Sequence, residues 1–219
     1  DVAFMECVGL QPVIVHGGGK EINKWLEKIG KKPEFAPDGL RVTDGDTIEV
    51  AEMVLGRIGK DIVQTINVAG ETSAVSLSGK DGCLLKAQKM ESQYNHGFVG
   101  DITEVNTEVI LTLLNAGKIP VISSIGIGDD GATYNINADY AAAEIAKALK
   151  ADKLILMTDV DGVLDKDKKL ITRINHASAE KLIKNETITG GMIPKIKSAL
   201  DVLDSGVHSV HIINGTVEH

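Results

Sequence analysis

The sequence predicts an α/β protein, a three-layer α/β/α sandwich around an open, mainly parallel central sheet. Three observations predict it. Apolar runs such as Val13 to Val15, Ile119 to Ser123 and Lys153 to Thr158 read as strands buried on both faces. Segments with apolar residues at spacings of three and four alternate with them, as helices covering such a sheet do. Glycine-bearing turns follow the runs: Gly17 to Gly19 after Val15, the stretch from Gly126 to Asp139 after Ile122, and Asp159 to Gly162 after Thr158. Ligands of open parallel sheets bind at these carboxyl ends.

In order, Phe4 to Gly9 finishes a helix, Val13 to Val15 is a strand, and Gly17-Gly18-Gly19 releases the chain into a helix from Glu21 to about Ile29, stopped by Gly30. Pro33, Pro37, Asp38 and Gly39 mark a loop, and Leu40 to Thr43 a short extended piece. Asp46 with Glu49 reads as an N-cap and its capping-box partner. The helix behind them carries Ile48, Ala51, Leu55, Ile58, Ile62 and Ile66 on one face. Ala74 to Leu77 and Leu84 to Ala87 read as strands around the turn Ser78 to Gly82, and Phe98 to Ile102 as another, giving an antiparallel middle section. Asn106 to Ala116 is a helix ended by Gly117, and Ala138 to Leu149 an alanine-rich helix. Ala177 to Lys184 and Ile193 to Leu203 are helices, and Ser209 to Ile213 a final strand.

With 219 residues, 43% of them hydrophobic, the chain suffices for one large α/β domain or two modest lobes with a real core. Its 23 Lys and Arg against 31 Asp and Glu give a net charge of -8, which excludes general attraction to nucleic acid or an anionic membrane surface. An anionic substrate must then be met by local donors. Cys7 and Cys83 have no metal-ligand spacing and fit ordinary thiols in a reducing compartment. No apolar run approaches the ~18 residues of a membrane helix, and no secretory pattern opens the chain, so a soluble cytoplasmic protein is expected. The chain opens inside a helix and stops just after a strand, which reads as a piece of a longer protein.

Several motifs do not carry the chemistry they suggest. Gly126-Ile127-Gly128-Asp129-Asp130-Gly131 matches GxGxxG, but no helix start follows, and two aspartates stand where a pyrophosphate would lie, so a surface loop is expected. No Walker A pattern surrounds Gly79-Lys80. Asp159, Asp161, Asp165 and Asp167 resemble a calcium loop, yet Leu164 stands where the turn requires glycine. Asn185-Glu186-Thr187 and Asn214-Gly215-Thr216 match glycosylation acceptors with no sign of secretion. His16, His96, His176, His208 and His211 share no ligand spacing and read as structural.

What remains is a set of anion-binding and amide groups: Gly18 and Gly19, Arg41, Asn135 and Asn137 with Asp139, Thr158 and Asp159, and Gly190-Gly191-Met192-Ile193-Pro194-Lys195. Glycine N–H groups converging at a helix N-terminus suit phosphoryl or carboxylate oxygens. Each member also has a plain structural reading: the glycines as a strand-to-helix turn, Arg41 as a surface charge, Asp139 as a helix N-cap, Lys195 as a solvated lysine.

As a set they resemble the acetylglutamate kinase family of the amino acid kinase superfamily. The resemblance rests on Val13 to Gly19, Gly39 to Asp44, Tyr134 to Asp139, Leu156 to Leu164 and Thr189 to Lys195, and runs through essentially the whole chain. It implies ATP-dependent phosphorylation of the side-chain carboxylate of N-acetyl-L-glutamate, as in arginine biosynthesis. A carboxylate is already a nucleophile at neutral pH, so the reaction needs alignment and charge neutralisation rather than a general base.

The resemblance implies that Lys195, Asp139 and Gly18 carry catalysis: Lys195 stabilising the transition state, Asp139 orienting lysines, Gly18 donating to the group in flight. Gly18, Gly19, Arg41, Asn135 and Asn137 would bind substrate, with Asn137 buttressing the Asn135 loop. Gly17, Thr158, Asp159, Gly162, Met192 and Lys195 would lie along ATP, whose phosphates hold Mg2+ without a protein ligand. It also implies an N-terminal lobe, residues 1–147, for the acyl amino acid and dimerisation, and an incomplete ATP lobe, residues 148–219. Dimers or hexamers and arginine feedback belong to the same expectation. The family's opening Lys-x-Gly-Gly strand is missing, so the chain alone is expected to turn over poorly. The competing readings are a kinase of another acyl amino acid, such as a carrier-linked aminoadipate, and a non-catalytic arginine-binding regulatory domain.

Overall fold

A computed structural model describes residues 2–70, 72–189 and 192–217. The chain divides into two compact units, Asp1–Ala141 and Ala142–His219. The first contains α1 (Val2–Cys7), β1 (Ile14–His16), α2 (Gly19–Lys28), α3 (Gly45–Ala69), β2 (Ser73–Ser78), β3 (Leu85–Lys89), β4 (Gly100–Val105), α4 (Glu108–Asn115), β5 (Lys118–Ser123), β6 (Ile125–Ile127) and β7 (Thr133–Asn135). Helix α5 (Ala138–Leu149) carries the chain into the second, which holds β8 (Lys153–Thr158), α6 (His176–Lys184), α7 (Met192–Asp204) and β9 (Ser209–Asn214).

In the first unit β1, β5 and β2 form a parallel sheet with β5 in the middle, and every residue of β5 after Lys118 is buried. The register aligns His16 and Ser78 on either side of Ser123, so the carboxyl ends lie level. This edge bears the glycine turn. Helix α3 holds the unit together. Its carboxyl-terminal half packs Ile66, Ile62 and Val63 with Ala74, Ile119 and Val121, and its first half packs Ile48, Ala51, Val54 and Leu55 with Ile22 and Leu26 of α2. Each such Leu or Ile contributes roughly 1.5–3 kcal/mol of burial. Helix α2 ends as its sequence suggests: Gly30 at φ +79 donates to Glu27, and Lys31 donates to Leu26, a Schellman stop.

Three expectations change. Asp44, not Asp46, caps α3: its carboxylate accepts from the Thr47 N–H at 3.0 Å, which leaves Asp46 inside the first turn. Two aspartates two residues apart are equally good caps by type, and Lys31 decides nothing between them because it reaches both, at 2.6 Å and 3.0 Å. Strand β2 does not form a hairpin with β3; it pairs along its whole length with β5. The antiparallel pairs are β3 with β4 and β6 with β7, in a sheet ordered β4-β3-β6-β7. The GxGxxG stretch is a surface loop only at its exposed turn, Asp129 to Gly131. It is the β6–β7 hairpin, with Gly126 and Gly128 buried, and a Cβ on Gly126 would stand 2.9 Å from that of Ala87. These glycines permit close strand packing.

In the second unit β8 and β9 pair in parallel from Lys153 with Ser209 to Thr158 with Asn214. Leu154 and Leu156 face a core with Ala143 and Ala146 of α5 and Ala199 and Val202 of α7. Small residues on α5 let helix and strand approach closely. Val163, Ala179, Ile188 and Ile196 centre a further cluster between α6 and α7. The α/β class and the mainly parallel pairing are those expected from the sequence. No described helix is long and apolar enough to cross a membrane.

Candidate active site

The glycine turn stands where β1 delivers the chain to α2. Gly18 is the N-cap of α2 at φ -171 and ψ 34. A Cβ there would lie 2.4 Å from Ile58 and 2.9 Å from Leu55, and one on Gly17 would lie 3.0 Å from Ala138 at the start of α5. Gly17 and Gly18 are therefore closely packed, and a side chain at either would require its neighbours to shift. Gly19 faces only Arg41, 3.9 Å away. Among the described residues, no protein group accepts from the Gly18 or Gly19 N–H. Unpaired donors at a helix start, reinforced by its dipole, are suited to anionic oxygens. Ser124 donates to the His16 carbonyl at 3.3 Å and accepts from Ile136 at 3.0 Å, which ties the turn to the Asn135–Asn137 stretch.

Arg41 is not a surface charge. It is 9% exposed, donates from Nη2 to the Gly19 carbonyl at 3.2 Å, and lies over the Phe35 ring at 4.8 Å. Its Nη1 is buried without a hydrogen-bond partner. Burial lowers the guanidinium's pKa, yet arginine remains a cation in any case. A buried cation with an unused donor is prepared for a carboxylate.

Asn135 joins the same place through three extended segments. Phe98 donates to the Thr43 carbonyl at 2.7 Å, and Asn135 donates to the Phe98 carbonyl at 2.8 Å. The Asn135 side chain then donates to the Thr43 hydroxyl at 3.2 Å. Gly97, at φ +67, is required here because a Cβ would stand 2.2 Å from the Thr43 carbonyl. Thr43 is fully buried, and its hydroxyl donates to the Arg41 carbonyl at 3.4 Å, so it links Arg41 to Asn135.

Asn137 caps α5, its side chain accepting from Tyr140 at 3.0 Å and its carbonyl from Ala141 at 2.8 Å. This removes the N-cap reading of Asp139, which lies half-buried in the first turn of α5. Phe35 and Thr43 were missed as site residues by the sequence reading. The only signal for Thr43 was its place beside Arg41, and for Phe35 there was none.

In the second unit Thr158 ends β8 half-buried, with its carbonyl accepting from Gly215 at 2.8 Å, and Asp159 follows exposed. Gly162 is buried at φ +117, where a Cβ would meet Leu170 at 2.9 Å. Met192 opens α7 and packs against the Val163 cluster, and Lys195 lies half-buried in the first turn of that helix. Gly190-Gly191 lie outside the described residues. The acidic run from Asp159 is a turn in which Asp165 accepts from the Asp167 and Lys169 N–H groups, both at 2.9 Å. Among the described residues no group of three or more His, Cys, Asp or Glu is placed to hold a metal ion.

Residues 1–214 match the amino acid kinase family model. The chain is 51% identical over 220 residues to the acetylglutamate kinase of Campylobacter fetus subsp. fetus, covering 100% of this chain and 78% of that protein. It is 54% identical over 223 residues to the acetylglutamate kinase of Caldanaerobacter subterraneus subsp. tengcongensis, covering 100% of this chain and 74% of the relative. The crystal structure of smu.665 from Streptococcus mutans UA159 superposes with a TM-score of 0.90 at 36% identity, over 99% of this chain and 87% of that one. Glycine turn, buried arginine and fold thus meet full-chain similarity, and the chain belongs to the amino acid kinase family, in its acetylglutamate kinase group.

Proposed function

We propose that the protein transfers the γ-phosphoryl group of ATP to the side-chain carboxylate of N-acetyl-L-glutamate, a step of arginine biosynthesis. The observation that carries this reading is Arg41, a buried cation with an unpartnered Nη1 beside the glycine turn. A protein pays for a desolvated, incompletely bonded guanidinium only where a ligand completes it. The α-carboxylate of an acyl amino acid does so in this reading, with Asn135 as a second donor. The substrate named for the acetylglutamate kinase relatives fits that requirement.

The side-chain carboxylate oxygen attacks the γ-phosphorus, the bond from that phosphorus to the β,γ-bridging oxygen breaks, and ADP leaves. No proton is abstracted, so a site without a general base is adequate. The Gly18 and Gly19 N–H groups, fixed before the reaction, stabilise the oxygens on which charge develops, and losing one such donor costs about 10²–10³ in rate. In this reading Lys195 neutralises charge on the phosphoryl group and Asp139 orients lysine. Gly17, Thr158, Asp159, Gly162 and Met192 contact the nucleotide. In this reading Mg2+ arrives with the ATP phosphates, and no step is assigned to it. The reading gives residues 1–147 to the acyl amino acid and 148–219 to ATP, in a cytoplasmic homo-oligomer open to arginine feedback.

Replacing the substrate's α-carboxylate by a carboxamide tests the reading. The KM for the amide should rise by about 10²-fold with the KM for ATP unchanged, since two charge-assisted bonds at ~1.5–3 kcal/mol each are weakened. An amide used as well as the acid would exclude Arg41 as the carboxylate site.

A further inference from the structure

We propose that His16 is a positioning residue whose Nδ1–H, donated to the Gly17 carbonyl, holds the Gly17–Gly18 peptide with the Gly18 N–H turned toward the transferring phosphoryl group. The inference rests on the kinase reading and deepens it, since that reading uses the Gly18 N–H without accounting for its orientation.

His16 is the last residue of β1, in register with Ser123, and its ring is buried. Nδ1 lies 3.2 Å from the Gly17 oxygen. A carbonyl only accepts, so Nδ1 carries the proton, and in the neutral ring Nε2 is bare. Burial pushes the imidazole pKa below its ordinary value, which keeps the ring neutral at neutral pH. Nε2 is buried with no hydrogen-bond partner, beside Gly59, where a Cβ would stand 3.1 Å from it and 2.5 Å from the Ser76 hydroxyl. As a packing element alone, an imidazole is a poor choice: an apolar side chain would fill the space without a buried, unsatisfied nitrogen. What the ring offers in return is the Nδ1 bond.

That bond acts on the right atom. In a planar trans peptide the C=O of one residue and the N–H of the next point in opposite directions, so fixing the Gly17 oxygen fixes the Gly18 N–H. The flanking residues are the ones least able to hold that plane themselves, because glycine adopts a wide range of φ and ψ. Among the described residues the Gly18 N–H has no protein acceptor and is free for a ligand.

The test exploits isosteres in the full-length protein. The amide nitrogen of asparagine reaches the position of Nδ1 and that of glutamine the position of Nε2, so His16→Asn keeps the bond while His16→Gln and His16→Ala lose it. Steady-state kinetics should show kcat reduced about 10–10²-fold in the Gln and Ala variants, the scale of a misplaced donor, with KM for both substrates little changed and Asn near wild type. A purely structural role would lower the melting temperature of the Asn and Gln variants alike and leave their kcat values equal. Nitrogen NMR of the wild-type ring provides a readout that needs no variant to fold, and a proton on Nδ1 is expected. Asn as slow as Gln, rescue by Gln instead, or a proton on Nε2 would overturn the inference while the kinase reading stands. A wild-type protein that forms no acyl phosphate overturns the kinase reading, and this inference with it.

Discussion

Replacing Arg41 by methionine separates what this side chain does for the fold from what it does for the substrate. In the fold it makes one charge-assisted bond, Nη2 to the Gly19 carbonyl at 3.2 Å, against the desolvation of Nη1. The bond contributes roughly 1.5–3 kcal/mol and the unsatisfied group costs roughly 1–3 kcal/mol, so the two nearly cancel. Methionine removes both terms and also the guanidinium's stacking on Phe35, roughly 0.5–1 kcal/mol. The melting temperature should therefore move by no more than about 2–4 °C in either direction, the shift expected from ~1 kcal/mol in a chain of this size. Binding is different. The charge-assisted bond from Nη1 to the carboxylate is lost with no offset while that from Asn135 stays, and ~1.5–3 kcal/mol corresponds to about a 10–10²-fold rise in KM for N-acetylglutamate. Arg41→Lys should fall between the two, because an ammonium supplies a charge without the planar fork. Steady-state kinetics at saturating ATP, paired with thermal melts, measures both quantities. An unchanged KM together with a melting temperature lowered by tens of degrees would make Arg41 a structural residue and refute the reasoning.

Two further predictions concern other parts of the chain. Lys195→Ala should lower kcat far more than it raises either KM, as expected for a group acting mainly on the transition state; an unchanged kcat would sink its assignment. Asp44→Ala should cost ~1 kcal/mol at neutral pH through loss of the α3 cap, the exposed ion pair with Lys31 adding little. The hydrogen bond from Lys31, then that from Thr47, holds the Asp44 carboxyl at about 2, below its ordinary 3.8. Because the folded pKa is the lower one, this stabilisation is present above about pH 4 and is lost as the pH falls toward 2. Melts of the two proteins should converge over that interval, and a difference that widened toward pH 2 would contradict the assignment.

Local features were legible in the sequence where neighbouring residues decide them. The β1–glycine–α2 turn, the α3 stripe and the Gly30 and Gly117 stops all follow from spacing and glycine chemistry, and both glycines adopt positive φ, +79 and +65. Partnerships across distance were less legible. The alternation in Ser73–Ser78 marks a strand equally well beside β3 or β5, and only the fold brings Ser78 to Ser123. The choice of Asp44 over Asp46, or of Asn137 over Asp139, turns on which backbone N–H a side chain meets, which composition does not encode. In the candidate site, residue types pointed to Arg41 and Asn135. The hydroxyl that links them belongs to Thr43, whose partner is 92 positions away. His16 read as structural because its role depends on a bond to its own neighbour, invisible in a search for ligand spacings.

The central claim, phosphorylation of an acyl-amino-acid carboxylate, is tested most directly by trapping the product. The protein is incubated with Mg-ATP and N-acetylglutamate in the presence of hydroxylamine, and the hydroxamate is measured. The account predicts hydroxamate formation that requires both substrates and matches the ADP released. Absence of hydroxamate from the full-length protein, with arginine still bound, would contradict it and identify a regulatory domain on a kinase fold.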